Sequence, residues 1–395
     1  MIKRSASTRP QDLRQRSAPL APAADSKRVV LLASYAPSLL NFRGQLIEEM
    51  VARGHQVFAL APGLEGPLDE ATRRLGVTPV AVPLSNSTLN PFESVRSSHR
   101  IRDVLRDIRP DVVLAYTIKP IVLGAPAAAA ARVPAFVALV TGLGFAFTPG
   151  REAKRLLSRL VGSVLYRRAF RLSKLVIFQN PDDREDFRRL HLLSESTATA
   201  LVSGSGVDLD RYKQEPPPAA PSFLMIARLL GDKGVREFAE AARMLKRHHP
   251  DVPIVLVGGT FPSPDCLTEK EIEAVRDAGV EMTGAVDDVR PALSDCSVFV
   301  LPSYREGTPR TALEALSVGR AIVTTDVPGC RETVVEGENG FLVPPRDPKS
   351  LYEAMLRFVE KPGLAAAMGA VSRQIAEEKF DVRKINNRMI ELLEL

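Results

Sequence analysis

Two doubly wound α/β domains facing each other across a cleft are the fold class this 395-residue sequence predicts, and three observations predict it. Short, nearly uninterrupted apolar runs alternate with longer amphipathic stretches along most of the chain. Runs of that kind belong to parallel strands covered on both faces, and their alternation with helices implies right-handed βαβ units. The alternation also comes in two series, parted by the proline-rich "YKQEPPPAAPS" (212–222), which reads as a linker. Finally, at roughly 100–200 residues per domain the length allows two cores, and 45% hydrophobic with 25% charged residues is a globular composition.

The elements follow in order. Residues 1–26 are polar, basic and rich in Ala, Pro and Ser, and read as a mobile tail. The first domain spans 27–205, with strands expected in "RVVLLAS" (28–34), "QVFALAP" (56–62), "VTPVAVP" (77–83), "DVVLAYT" (111–117), "AFVALVTG" (135–142), "KLVIFQN" (174–180) and "TATALVS" (197–203). Between them, stretches such as "NFRGQLIEEMVARG" (41–54) carry helical spacing. A hinge is expected over 206–222. The second domain, 223–375, has strands in "FLMIAR" (223–228), "VPIVLVGG" (252–259), "VEMTG" (280–284), "CSVFVLPS" (296–303), "AIVTTD" (321–326) and "GFLVPP" (340–345). Residues 376–395 are expected to form a C-terminal helix packing back on the first domain. Ligands of open α/β sheets bind beyond the carboxyl ends of the strands, so the cleft is the expected site.

Composition narrows the function. With 53 Lys+Arg against 47 Asp+Glu the formal net charge is +6, and the placement of that excess matters more than its size. Cys266, Cys296 and Cys330 are scattered and odd in number, which predicts a reducing, cytoplasmic setting with neither disulfides nor zinc. No apolar run reaches the ~18–20 residues of a membrane span, and the N-terminal residues lack the apolar core of a signal peptide. Nucleic acid is not an expected partner: there is no Trp, and aromatic content is 6%.

Candidate ligand residues cluster in the second half. Arg228 ends a strand and Lys233 precedes a helix beginning near Gly234; two cations beside a helix start suit a diphosphate, or else form a solvated loop. In "VGG" (257–259), Gly258 permits close backbone approach to a ligand. In "PSYREGTPRTALEALSVG" (302–319), Thr308 suits a helix cap and Pro309 the first helical position. The N–H groups around Gly307 would then face outward at a positive helix end. Glu306 precedes this helix and Glu314 lies within it. Each carboxylate either accepts from vicinal sugar hydroxyls or merely complements the dipole and a solvated face.

In combination these features are more specific. Arg228 with Lys233, "VGG", "GAVDDVRPALSDCSVFVLPS", Glu306-x7-Glu314 and "GFLVPPRD" occur in this order, and over roughly 28–390 the sequence resembles the family 4 glycosyltransferases, retaining enzymes of GT-B architecture. The resemblance implies that Arg228 and Lys233 hold the diphosphate of a nucleotide-sugar donor, that Glu314 binds its ribose and that Glu306 contacts the sugar near the reacting carbon. Glu306, Arg228 and Lys233 are thereby the expected catalytic set. Residues around Val286-Asp287-Asp288 would lie near the nucleobase, and Arg310 and Thr308 would contact the donor. Asp208-Leu209-Asp210 spells the acidic triplet of metal-dependent transferases, but it stands in the hinge. Neither metal nor cofactor is expected.

The first half offers an acceptor site. Asn41-Phe42-Arg43-Gly44 opens a helix after the first strand, where Arg43 either recognises an anionic acceptor or serves structure. "YTIKP" contributes Thr117 and Lys119, and "TGLGFAF" Thr141 and Gly142. No histidine stands in this part of the cleft, so a fixed side-chain base is not expected. The "NFRG", "TIKP" and "TGLGFAF" set resembles a bacterial subgroup that extends polyprenyl-diphosphate-linked saccharides, implying a UDP-sugar donor, best read as an N-acetylhexosamine, and a lipid-linked glycan acceptor. A UDP-sugar 2-epimerase or a non-catalytic nucleotide-sugar-binding protein are the alternatives on this fold. Residues 150–174 carry eight Lys/Arg and one acid, with Leu156, Leu157, Leu160, Val161, Val164 and Leu165 at helical spacing. Such a helix, presenting Arg155, Arg159, Arg167 and Arg168, lies on an anionic membrane surface or packs as core with its arginines solvated. The expected location is the inner face of the cytoplasmic membrane.

Overall fold

The computed structural model describes residues 25–84, 91–142, 153–361 and 363–395, with 91 and 153–160 described by backbone alone. Most of the tail, and residues 143–147 of the "TGLGFAF" segment, lie outside the described residues.

Two parallel sheets form the framework. The first contains Arg28–Leu32 (β1), Gln56–Ala61 (β2), Thr78–Ala81 (β3), Val112–Tyr116 (β4), Ala135–Val140 (β5), Leu175–Phe178 (β6) and Thr199–Leu201 (β7), in the order β3-β2-β1-β4-β5-β6-β7. The second contains Phe223–Ile226 (β8), Ile254–Val257 (β9), Glu281–Gly284 (β10), Val298–Leu301 (β11), Ala321–Thr325 (β12) and Gly340–Val343 (β13), in the order β10-β9-β8-β11-β12-β13. Both are doubly wound, and the winding reverses between β1 and β4 in one and between β8 and β11 in the other. β4, β5 and β11 are buried at every position, which is why their sequences run apolar without alternation.

The ladders are shorter than the apolar runs. Ser34, Thr117 and Thr141 follow the last paired residues of β1, β4 and β5 and leave the sheet as loops. These loops, with those after β8 and β11, surround one space between the sheets. A separate apolar cluster fills the second domain, and two more cover the faces of the first sheet.

The domains are joined twice. Val207 N–H donates to the Phe380 carbonyl (2.8 Å), and Val382 N–H returns to the Val207 carbonyl (3.0 Å), so the outgoing and returning chains run side by side. Gly206 permits this approach: a Cβ there would stand 2.6 Å from the Val382 Cα. The chain then ends in the helix Val382–Leu392, whose Ile385, Met389 and Ile390 are buried in the first domain's core together with Leu393.

The helix Ala153–Arg171 buries Tyr166, Ala169 and Phe170 but exposes Val161, Val164 and Leu165 beside Arg167, Arg168 and Arg171. Apolar and basic side chains therefore share its outer surface, while Tyr166, Ala169 and Phe170 face the core. Arg167 is partly committed, its Nε donating to the His191 carbonyl at 2.7 Å. The side chains of Arg155, Arg159, Leu156, Leu157 and Leu160 lie outside the described residues. Among the described residues no helix is long and apolar enough to cross a membrane.

Candidate active site

A cavity of about 810 Å³ occupies the space between the carboxyl edges of the two sheets. Its second-domain wall begins where β8 ends. Arg228 is exposed there, its guanidinium stacked 4.6 Å from the Phe261 ring centroid. The chain then makes a 3-10 turn over Gly231–Lys233 and reaches Gly234 at φ 74°, where a Cβ would meet the Pro302 carbonyl at 2.1 Å. That glycine lets the turn pack against the end of β11 and places Lys233 beside Glu306. Lys233 Nζ lies 2.5 Å from Glu306 Oε1, which also accepts from Ser303 Oγ at 2.8 Å. Burial works against the Lys233 ammonium, but the adjacent Glu306 carboxylate outweighs it and holds the pKa above the ordinary lysine value. A basic group poised over a carboxylate at a strand end is equipped to receive an anion.

The helix after β11 starts later than the sequence implies. It spans Arg310–Val318 with Pro309 at the cap position, so Pro309 is not the first helical residue and Thr308 is not the cap. Pro309 takes ψ 112°, outside the helical region, and Thr308 Oγ1 instead donates to the Gly307 carbonyl at 2.9 Å. This start has no side-chain cap, and Pro309, Arg310 and Thr311 line the cavity. An uncapped helix start facing a cavity suits phosphate oxygens. Inside the helix, buried Glu314 accepts from the Tyr212 hydroxyl and from Arg310 Nε, each at 2.9 Å. Burial raises its carboxyl above the usual range, opposed by Arg310 and Tyr212.

The first-domain wall is built on the ends of β1 and β4. Arg43, 4% exposed, lies over the Tyr116 ring at 5.3 Å, and its Nε has no hydrogen-bond partner among the described residues. Burial lowers its pKa, with Tyr116 opposing. The Tyr116 hydroxyl is within 2.9 Å of Ser38 Oγ. Thr117 has φ 68°, an unfavourable conformation for a β-branched residue, costing on the order of 1–3 kcal/mol. Its hydroxyl is 3.1 Å from that of Ser34. Asn41, Gly44 and Thr141 also line the cavity.

The structure thus brings together Arg228, Lys233, Glu306, Gly307, Thr308, Pro309, Arg310 and Glu314 on one side, and Asn41, Arg43, Gly44, Thr117 and Thr141 on the other. Four expected residues are not among those lining the cavity. At Gly258, φ is 154° and a Cβ would meet the Ala227 carbonyl at 1.8 Å, so strand packing requires that glycine. Val286 is exposed, while its neighbours Asp287, Asp288 and Val289 line the space. Burial lowers the Lys119 pKa, and Glu93 opposes that shift. Gly142, at φ 143°, faces the backbone of Gly307.

Asp208 of the acidic triplet lines the cavity, but its carboxylate is held by hinge contacts. Asp208 Oδ1 accepts from the backbone of Asp210 and Arg211, its Oδ2 accepts from Gln45, and Asp210 pairs with Arg383. Among the described residues no group of three His, Cys, Asp or Glu side chains is placed to hold a metal.

Sequence reading missed Tyr116, Gln179, Tyr212 and Asn386, which also line the cavity. Tyr116 and Gln179 stand at strand ends, and that position was their available signal. Tyr212 and Asn386 reach the cleft only through the double crossing, which no local pattern announces.

Comparison with known proteins agrees with this geometry. The family described as "Glycosyl transferases group 1" matches residues 220–361, and the "Glycosyl transferase 4-like domain" matches 42–203. The N,N'-diacetylbacillosaminyl-diphospho-undecaprenol alpha-1,3-N-acetylgalactosaminyltransferase of Campylobacter jejuni is 30% identical over 379 residues, 92% of this chain and 98% of that one. Among solved structures, HepE of Anabaena in complex with UDP and glucose superimposes with a TM-score of 0.76 at 19% identity, covering 93% of this chain and 99% of that one. Sucrose-phosphate synthase of Thermosynechococcus elongatus gives 0.77 at 20% identity, covering 93% and 98%.

Proposed function

The chain belongs to the family 4 glycosyltransferases and has their GT-B fold, and on that premise we propose that it moves an N-acetylhexosamine from a UDP-sugar to a polyprenyl-diphosphate-linked saccharide, with retention and without a metal. One observation carries the reading: a single cavity has cations and an uncapped helix start on one wall and, on the other, a buried arginine whose Nε has no partner among the described residues.

In this proposal Lys233 and Arg228 receive the donor diphosphate together with the uncapped helix start at Arg310. Lys233 exchanges its contact with Glu306 for phosphate oxygens, freeing the Glu306 carboxylate toward the sugar. As the bond from the anomeric carbon to the phosphate oxygen breaks, Lys233 and Arg228 stabilise charge growing on UDP, and Glu306 opposes positive charge on the sugar ring. The acceptor hydroxyl forms the new bond on the same face and passes its proton to the departing phosphate. Glu314 accepts from the ribose hydroxyls. Arg43 meets the anionic acceptor, which supplies the counter-charge a buried guanidinium needs.

The lipid-linked acceptor brings the enzyme to a membrane. We place that contact on the outer surface of the helix Ala153–Arg171, where Val161, Val164 and Leu165 stand exposed beside arginines.

The test is turnover of Glu306→Gln and Lys233→Ala, each expected to lose roughly 100-fold or more in kcat. Near-native turnover of both overturns the assignment. Incubation with UDP-sugar alone separates transfer from epimerisation, since an epimerase needs no acceptor.

A further inference from the structure

The loop that carries Glu306 belongs to the second domain, yet it is held from both sides by the first. Asn180 caps the helix Pro181–Arg189, its Oδ1 accepting from the Asp183 N–H at 2.7 Å. The same side chain crosses the domain boundary, where its Nδ2 donates to the Gly307 carbonyl at 2.6 Å. It also donates to Asp183 Oδ2 at 3.0 Å. Arg305, the residue before Glu306, sends its Nη2 to Asp183 Oδ1 at 2.5 Å and to Asp186 Oδ2 at 2.6 Å. Asp183 is completely buried. One polar node on the first domain therefore grips the residues immediately before and after Glu306.

General adhesion between domains does not require this arrangement. Asp210 and Arg383 already pair where the two chains cross between the domains, beside the Val207–Val382 backbone contact. The close fit at Gly307, whose absent Cβ would stand 2.1 Å from the Thr141 carbonyl, leaves the loop no room to drift. Burial pushes the Asp183 carboxyl up and Arg305 draws it back, so the carboxylate depends on that guanidinium.

We propose that Asn180 and Asp183 of the acceptor-side domain act with Arg305 as positioning residues, aligning the Glu306 carboxylate only when the two domains are docked. The proposal rests on reading Glu306 as the residue that faces the reacting sugar. Its consequence is that the donor domain alone holds UDP but does not present an aligned carboxylate. Transfer is thereby gated by docking against the domain that holds the acceptor.

The experiment uses the full chain, measuring acceptor-dependent kcat, UDP affinity by calorimetry and melting temperature. Arg305→Ala and Asn180→Ala are each expected to lower kcat by about 10- to 100-fold, the size of effect known for sub-ångström to 1 Å misplacement. Their UDP affinity is expected to stay within about twofold, the split that marks an effect on the transition state alone. Arg305→Ala combined with Asp183→Asn is expected to be no more than about threefold worse than Arg305→Ala, because the two form one unit. Arg383→Ala, which removes the pair with Asp210 at the chain crossing, is expected to change kcat by less than about threefold. If Arg305→Ala and Asn180→Ala keep native kcat while Glu306→Gln loses it, the positioning role is overturned and the catalytic reading of Glu306 stands. If Arg383→Ala costs as much as Arg305→Ala, adhesion rather than alignment is at work and the proposal is likewise overturned. If Glu306→Gln retains native turnover, the catalytic reading falls and this proposal falls with it. Loss of UDP binding in parallel with kcat assigns the node to general folding and contradicts the proposal.

Discussion

At the scale of single residues, the cavity wall holds a buried carboxylate at a cost in stability. Burial raises the Glu314 carboxyl, with Arg310 and Tyr212 opposing. A carboxyl whose folded pKa exceeds its unfolded value binds its proton more tightly in the native state, so its ionisation weakens the fold at neutral pH. That penalty is relieved as pH falls through the raised pKa toward the ordinary glutamate value. Glu314→Gln is therefore expected to hold or raise the melting temperature near neutral pH and to flatten its rise toward acid. The same change is expected to raise the donor KM by about tenfold or more, from loss of a charged hydrogen bond worth about 1.5–3 kcal/mol. A melting temperature that drops several degrees near neutral pH contradicts the argument. Gly307 poses the opposite case. Gly307→Ala puts a methyl 2.1 Å from the Thr141 carbonyl, and overpacking of that kind costs about 1–3 kcal/mol. Because the strain falls across the domain boundary, kcat is expected to fall more than stability does, as thermal melts and turnover on one sample will show.

At the scale of elements, the central strands were legible because buried parallel strands write themselves as apolar runs, a signal weaker in the partly exposed β3, β7 and β10. Helix starts were less so: Pro309 and Thr308 follow the usual cap preferences, yet the loop's contacts with Gln179 and Asn180 delay the helix to Arg310. The spacing of Glu306 and Glu314 was visible. The partners Tyr212 and Arg305–Asp183 were not, since they join positions 102 and 122 residues apart that no period connects. The same limit applied to the helix Ala153–Arg171, whose apolar spacing alone did not say which side chains face out. With Val164, Arg168 and Arg171 exposed, Val164→Asp with Arg168→Glu and Arg171→Glu is expected to abolish flotation with acidic vesicles while sparing transfer to a short water-soluble acceptor. Unchanged flotation places membrane contact elsewhere. The C-terminal helix offers a stability test: Ile390→Ala, fully buried in the first domain, is expected to cost about 2–5 kcal/mol by denaturant titration.

At the scale of the whole molecule, both sheets reverse their winding at a switch point, and the two crevices open onto one cavity. The crossing chains at Val207 and Phe380–Val382 hold those crevices opposite each other, and residues of both domains meet around Glu306. The two-domain arrangement was legible from two series of strands around a proline-rich linker. The contacts that dock the halves were not, because they depend on side chains that no single domain contains. Transfer to a lipid-linked saccharide can be read from the product itself. A panel of UDP-sugars is incubated with a polyprenyl-diphosphate-linked saccharide and a chelator, and the lipid-linked product is weighed by mass spectrometry and its new anomeric centre read by NMR. The expected result is a mass gain of one N-acetylhexosamine, an α-linkage from an α-linked donor, and UDP release that depends on acceptor. UDP-sugar consumption without a heavier lipid-linked product, or a product of inverted configuration, contradicts it.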